Sequence, residues 1–305
     1  MLASLYEQIS GEDLYQWRQW AIQLAQANNV EASEVDWLLQ GLTSIKSLPL
    51  RLDSYRKEHS ILCYASLTQL NAKWRDRIEN KVPVQYLVGE VPWRNFSLTV
   101  STDVLIPRPE TELIIDLAEN LAGRIPMAVR SDGGNWADLG TGSGAIALGL
   151  AHTFSEATIY AVDISEQALD IARQNAENNS LDHHITFYQG RWLSPLSFLK
   201  GQLTGVVSNP PYIPSQTVLT LQPEVANHEP HLALDGGPNG LSCLKTLIID
   251  GSDYLQPGGL WLTELMDGQA KIVTSLLKDQ GSYTHIAIHQ DLSGIDRFVS
   301  AYKAL

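Results

Sequence analysis

Asn135-Trp136-Ala137-Asp138-Leu139-Gly140-Thr141-Gly142-Ser143-Gly144-Ala145-Ile146-Ala147-Leu148 decides the fold of this chain. Trp136 to Leu139 reads as a short buried strand, and helical spacing sets in from Ala145 to His152. A strand that passes through a tight glycine turn into a helix is the opening half of a strand-helix-strand unit. Downstream the alternation repeats. Strands are expected at Thr158–Val162, Ile185–Tyr188, Gly205–Ser208, Leu260–Thr263, Thr284–His289 and Arg297–Tyr302. Helices are expected at Ser165–Asn178, with a serine N-cap, near Leu241–Leu255 and at Ala270–Lys278. The pattern predicts an α/β fold with a doubly wound, mostly parallel seven-stranded sheet. Ligands in such sheets bind beyond the carboxyl ends of the strands.

Upstream the texture changes. Leu14, Trp17, Ala21 and Leu24 recur at helical spacing, as do Val35, Leu38, Leu39 and Leu42, and then Leu67, Leu70, Trp74 and Ile78. Breaks are expected at Asn28-Asn29 and around Ser47-Leu48-Pro49. Residues 1–82 are therefore expected to form a helical bundle with those stripes as its core. Tyr86-Leu87-Val88-Gly89 and Phe96-Ser97-Leu98-Thr99-Val100 are short and punctuated, which predicts a β-hairpin linker over 83–109. Thr111 opens a helix to about Ala122, so the sheet-bearing domain is expected to span 110–305.

The 305 residues carry a formal net charge of −13. The first 85 residues hold nine basic and ten acidic side chains, so nearly all of that excess lies beyond them. Such a field repels phosphate backbones, which argues against a nucleic-acid substrate; it suits a basic protein partner and equally serves solubility alone. Cys63 and Cys243 stand outside any metal-ligand spacing and read as small apolar residues of a reducing compartment; no metal is expected. No run approaches the roughly 18 apolar residues of a membrane span. No basic residue precedes Arg18, and Glu7, Glu12 and Asp13 interrupt the apolar text, so no ordinary signal peptide is expected. The cytoplasm is the expected location.

The glycines at 140, 142 and 144 allow a sharp turn and a ligand pressed against bare backbone. Asp163 closes the second strand, 19 residues after Gly144, where a carboxylate can accept hydrogen bonds from both ribose hydroxyls. Trp192 follows the third strand, where an indole can lie against an adenine ring. Gly140, Thr141, Gly142, Ser143, Gly144, Asp163 and Trp192 would suit either a dinucleotide or S-adenosylmethionine. The glycine spacing differs from the one that sets a helix N-terminus on a pyrophosphate. Asp138 stands just before the turn, and a carboxylate there repels a pyrophosphate but favours a sulfonium and an α-ammonium group. The methyl donor is the expected cofactor.

The fourth strand runs into Ser208-Asn209-Pro210-Pro211-Tyr212-Ile213. An amide or aromatic amine has a delocalised lone pair and is a poor nucleophile. The Asn209 carbonyl and the Pro210 backbone carbonyl can each accept one N–H of the same NH2 group, and proline stiffens the turn that aims them. Tyr212 offers a flat face to the planar group. Asn209, Pro210 and Tyr212 are the expected catalytic residues, and Asn209 to Tyr212, Pro211 included, the expected substrate cradle. An in-line displacement on a methyl carbon needs positioning and a dry setting more than a base. No role is assigned to His228 or His289.

These residues resemble the protein-(glutamine-N5) methyltransferases that modify peptide chain release factors. Leu105-Ile106-Pro107-Arg108-Pro109-Glu110-Thr111-Glu112 looks like the signature of that family ahead of the catalytic domain. Glu229-Pro230, Ala233-Leu234-Asp235-Gly236-Gly237 and Gly240-Leu241 resemble the segment after the NPPY loop, and Asp291-Leu292-Ser293-Gly294 with Asp296-Arg297 resembles the closing hairpin. The resemblance implies a Rossmann-like catalytic domain, a helical domain that docks the release factor, and methylation of the glutamine in a Gly-Gly-Gln tripeptide. It implies that Gly140 to Gly144, Asp163 and Trp192 bind S-adenosylmethionine, with Asn209 at the junction of cofactor and substrate. Arg191 stands where the family usually has an acidic residue, so either a backbone carbonyl takes over the hydrogen bond to the adenine amino group or cofactor affinity is lower. Rival readings are glutamine methylation of a ribosomal protein, N6-adenine methylation of a nucleic acid, and a binding module without turnover.

Overall fold

The computed structural model describes residues 6–125 and 133–305. The chain divides into two units: one runs to Glu90 and takes in Pro223–His228, and the other comprises Val91–Gln222 and Glu229–Leu305.

The first unit contains β1 (Glu7–Ile9), α1 (Gly11–Ala27), α2 (Ser33–Leu42), α3 (Ser47–Arg51), β2 (Ile61–Cys63), α4 (Leu67–Glu79) and α5 (Val84–Val88). The stripes read from the sequence form its core: Leu14, Val35, Leu38, Leu39, Leu70 and Trp74 have no solvent exposure. Ser10 caps α1, and Ser66 with Gln69 makes a capping box on α4. Three details depart from the expected bundle. Two three-residue strands pair antiparallel, Ile9 opposite Ile61, and are too short to show an alternation. Ser47-Leu48-Pro49 opens α3 instead of breaking the chain, because a proline in a first turn gives up an N–H that has no helical partner. Tyr86-Leu87-Val88 is helical as well. Pro83 stands at the N-cap of α5, Val84 and Leu87 are buried three residues apart, and Gly89 ends the helix at φ 86°.

The hairpin over this region is correspondingly shorter than expected, β3 (Glu90–Trp93) with β4 (Phe96–Thr99). A strap and one 3-10 turn, Pro109–Glu112, then lead to α6 (Leu113–Ala122). The sheet follows: β5 (Asn135–Leu139), α7 (Ala145–Thr153), β6 (Thr158–Asp163), α8 (Glu166–Asn178), β7 (Ile185–Gln189) and β8 (Leu203–Ser208). After β8 come α9 (Ser215–Val218) and α10 (Pro223–His228), then α11 (Ser242–Tyr254), β9 (Leu255–Glu264), α12 (Ala270–Gln280), β10 (Tyr283–Gln290) and β11 (Asp296–Lys303). α10 belongs to the first unit, where buried Arg77 of α4 pairs with both Glu34 and Glu224.

The seven strands are ordered β10-β11-β9-β8-β5-β6-β7, and only β11 runs antiparallel to its neighbours. The expected sheet is therefore the observed one. β9 begins at Leu255, before Pro257-Gly258-Gly259, and its pairing with β8 shifts register between Leu203 and Gly205, the kind of irregularity at which proline and glycine are tolerated. Leu139, Asp163, Ser208 and Glu264 are the last or near-last residues of the four central strands. The shared parallel register brings their carboxyl ends to one edge. Trp136, Leu139, Ile159, Val162, Val206 and Leu262 have no solvent exposure, which fixes the strands and hence that edge.

Candidate functional site

The glycine turn follows from what surrounds it. Gly140, Gly142 and Gly144 hold φ of 74°, 53° and 83°, a region that side chains disfavour. A Cβ at Gly144 would stand 3.1 Å from that of Ala172, so α8 packs directly on the turn. The amides of Gly140 and Thr141 both donate to the Val162 carbonyl, at 2.8 and 3.0 Å. Asp163 closes the loop from the other side: Oδ2 accepts from the Gly142 N–H at 2.9 Å and Oδ1 from the Ser165 N–H at 3.0 Å. Its burial raises the carboxyl above the ordinary aspartate range. Trp192 holds φ 53°, which costs a non-glycine residue about 1–2 kcal/mol. Its ring lies against Gly140, 3.5 Å from where a Cβ would be, and its buried indole N–H has no hydrogen-bond partner.

Asp138 differs from its expected part. It is fully buried, and Oδ2 accepts from the Thr141 hydroxyl at 2.5 Å and from the Ala147 N–H at 3.0 Å. It braces the turn from behind and does not line the cavity, and its Oδ1 is buried without a hydrogen-bond partner. Desolvation pushes its carboxyl up to about 7. An aspartate raised in the folded state stabilises the fold most when protonated. That contribution is full below the unfolded value near 3.8 and is lost as pH rises to about 7. Asp138→Asn is therefore expected to gain stability relative to the parent chain between about pH 5.5 and about pH 8. Urea unfolding of both proteins at the two pH values measures this, and an unchanged difference refutes the account.

At the end of β8, the Ser208 hydroxyl donates to the Leu139 carbonyl at 2.6 Å and pins the start of the Asn-Pro-Pro-Tyr segment to β5. Asn209 Nδ2 donates to Thr111 Oγ1 at 3.3 Å. The Thr111 hydroxyl donates in turn to Glu264 Oε2 at 2.7 Å, and the Tyr212 hydroxyl donates to Glu264 Oε1 at 3.1 Å. Glu264, the last residue of β9, is 1% exposed. Burial raises its carboxyl, against the lowering by Thr111, Tyr212 and Arg297. The Tyr212 carbonyl accepts from Gln269 at 2.9 Å. The strap ahead of Thr111 is tied down where Arg108 meets buried Glu229 at 2.6 Å and where its carbonyl accepts from the Trp93 indole.

A cavity of about 450 Å³ opens at this edge, within the roughly 300–1,000 Å³ of small-molecule sites. Gly140, Gly142, Asp163, Trp192, Asn209 and Pro211 line it together. Thr141, Ser143, Gly144, Pro210 and Tyr212 do not. Thr141 is bonded to Asp138, the Ser143 carbonyl accepts from Asn175 at 2.9 Å, and Tyr212 is held by Glu264. Val104 and Leu105 from the strap and Cys243 at the start of α11 complete parts of the wall and were not assigned to it from sequence, while Arg191 lines it beside Trp192. Glu264 was missed too, although a carboxylate ending an apolar strand is the signal used for Asp163. Among the described residues no cluster of side chains suits a metal ion, and no helix is long and apolar enough to cross a membrane. His228 bonds the Asn80 carbonyl and His289 the Ser300 hydroxyl, and neither lines this cavity.

One reversed strand in an otherwise parallel sheet, with a cavity above its central carboxyl ends, gives a Rossmann-like fold, and its relatives make it that of a methyltransferase. Release factor glutamine methyltransferases of Synechocystis sp. and Gloeobacter violaceus are 50% and 39% identical to it, over 96% and 94% of this chain and 97% and 96% of theirs. The chain belongs to the release factor glutamine methyltransferase family. The family description "Methyltransferase small domain" matches residues 116–237. The hMettl16 catalytic domain, solved in complex with the MAT2A 3'UTR hairpin 6, shares the fold at a TM-score of 0.54 and 15% identity, over 87% of this chain and 88% of that one.

Proposed function

We propose that this protein transfers a methyl group from S-adenosylmethionine to the side-chain amide nitrogen (N5) of the glutamine in the Gly-Gly-Gln tripeptide of peptide chain release factors. The observation that carries the reading is the state of Asn209. It lines the cavity, and its NH2 group is committed to Thr111, so its carbonyl oxygen is the end left to accept from a substrate. The near full-length identity to relatives named for that reaction supports the choice of substrate.

The residues present fit the cofactor. The indole N–H of Trp192 is buried without a partner, bare glycine backbone borders the cavity, and Asp163 keeps lone-pair capacity beyond that used by Gly142, Ser165 and Ile164. Asp163 would accept from the ribose, Trp192 would lie along the adenine, and Gly140 and Gly142 would admit the methionine portion. Bound S-adenosylmethionine supplies a methyl carbon activated by its sulfonium.

The chain's own groups prepare the nucleophile. The Asn209 carbonyl at the cavity wall would take one N–H of the glutamine amide and the Pro210 carbonyl, outside that wall, the other, drawing the lone pair out of conjugation and aiming it. The Tyr212 ring, fixed by its hydroxyl, supports the flat amide. No base need remove a proton first, since the alkylated nitrogen is acidic and its extra proton leaves to water. The surrounding apolar wall strengthens each of these hydrogen bonds. The first unit would dock the release factor, in the cytoplasm.

The test is transfer of labelled methyl from S-adenosylmethionine to purified, unmethylated release factor, mapped by mass spectrometry. Label on the Gly-Gly-Gln glutamine is expected. Label only on a ribosomal protein or a nucleic acid, or none with a verified substrate, refutes the reading.

A further inference from the structure

We propose that Thr111 and Glu264 are positioning residues: they determine which end of the Asn209 amide faces the substrate, and Glu264 holds Tyr212 through the same carboxylate. This rests on the reading of the site given above.

The two ends of an asparagine amide are nearly identical in shape, so packing alone does not choose between them. A hydroxyl carries one hydrogen and two lone pairs. The hydrogen of Thr111 is directed at Glu264 Oε2, 2.7 Å away, which leaves Thr111 only lone pairs to present to Asn209. Nδ2 meets them as a donor. If the amide turned over, Oδ1 would stand against the same lone pairs with no hydrogen between them, inside a site where water does not compete. Thr111 is 4% exposed and Glu264 1%. The polarity therefore runs one way, from Asn209 to Thr111 to Glu264, and a residue 153 positions from Thr111 fixes the outward carbonyl of Asn209.

The second oxygen of Glu264 does similar work on the other half of the cradle. Oε1 accepts from the Tyr212 hydroxyl at 3.1 Å, so one carboxylate orients the first and last residues of the Asn-Pro-Pro-Tyr segment. Arg297 supplies a favourable positive charge to Glu264 and is itself held by Asp291 at 2.7 Å. The Asp291 hairpin, which has no group in the cavity, thereby supports the same carboxylate.

Thr111→Val keeps the shape and removes both hydrogen bonds, whereas Thr111→Ser keeps the hydroxyl and loses only the methyl group. With release factor as substrate, Thr111→Val is expected to lower kcat by about tenfold to a hundredfold, the scale of a misaimed reacting group. KM and cofactor Kd should stay close to the parent values, while Tm falls because the buried Glu264 carboxylate loses a donor. Thr111→Ser should recover kcat to within about threefold of the parent value. A role in packing alone predicts the reverse, with Ser at least as damaging as Val, and that pattern overturns the proposal. So does a Val variant with kcat near the parent value.

Should the Val variant not fold, Glu264→Gln serves instead. It replaces one acceptor oxygen by NH2, so either Thr111 or Tyr212 loses its acceptor. A kcat lowered about tenfold at unchanged cofactor Kd supports the proposal, and an unchanged kcat overturns it. Neutron diffraction reads the orientation without turnover. Exchanged Asn209 deuterons pointing at Thr111 sustain the inference, and an oxygen in that place overturns it, whatever substrate the assay shows.

Discussion

Asn209→Ala is expected to reduce methyl transfer by about a hundredfold to a thousandfold, the loss typical of one acceptor or donor aimed at the reacting centre. At about 1.4 kcal/mol per tenfold, that asks the Asn209 side chain for roughly 3–4 kcal/mol of transition-state stabilisation. A hydrogen bond that served ground state and transition state equally would give far less, because it would move KM and leave kcat alone. The larger figure is justified because the Asn209 side chain is oriented before substrate arrives by its bond to Thr111, at the edge of a mostly apolar cavity. Folding should be nearly unaffected. The side chain makes one hydrogen bond at 3.3 Å, worth about 1 kcal/mol, and the Thr111–Glu264–Tyr212 connections remain. Initial rates with release factor, beside cofactor titration by calorimetry, measure both halves. A variant that keeps more than about a tenth of the parent rate would place the chemistry elsewhere.

Asn209 was legible in the sequence because everything that marks it is local. A buried strand, two prolines and a position at a carboxyl end all lie within a few residues. Gly140, Gly142 and Asp163 were legible for the same reason. The partners of Asn209 were not. Thr111 and Glu264 lie 98 and 55 positions from it, and only the closed sheet brings the three together. Asp138 shows the opposite failure. Its position before the turn was plain, but sequence does not say on which side of a turn a carboxylate falls, and the packing of α7 placed it behind the wall. The short pair β1–β2 and the single-turn α3 and α5 were missed because three to five residues cannot display a period. The seven-stranded sheet could be read because alternation over many residues averages out such local ambiguity.

The second large effect is expected at Asp163. Asp163→Ala should weaken S-adenosylmethionine binding by about a hundredfold, roughly 2.7 kcal/mol. Two losses combine. The cofactor would lose the charged acceptor proposed for its ribose, worth about 1.5–3 kcal/mol in a buried setting. The Gly142 and Ser165 amides also lose the oxygens 2.9 and 3.0 Å away that hold the glycine turn in its positive-φ path. Asp163→Asn separates the two, because it retains one carbonyl oxygen but turns an NH2 group toward either an amide or the ribose. Its Kd should fall between the parent and alanine values. At saturating cofactor, both variants should keep kcat within about tenfold of the parent rate, since Asn209, Thr111, Glu264 and Tyr212 are bonded to one another and not to Asp163. Asp163→Ala and Asn209→Ala should thus fail in different quantities, the first in cofactor Kd and the second in kcat. Calorimetric Kd values with rates extrapolated to saturation distinguish them. A parent-like Kd in Asp163→Ala, or a kcat that falls as far as it does in Asn209→Ala, would mean that the cavity does not divide between cofactor and substrate along the line drawn here.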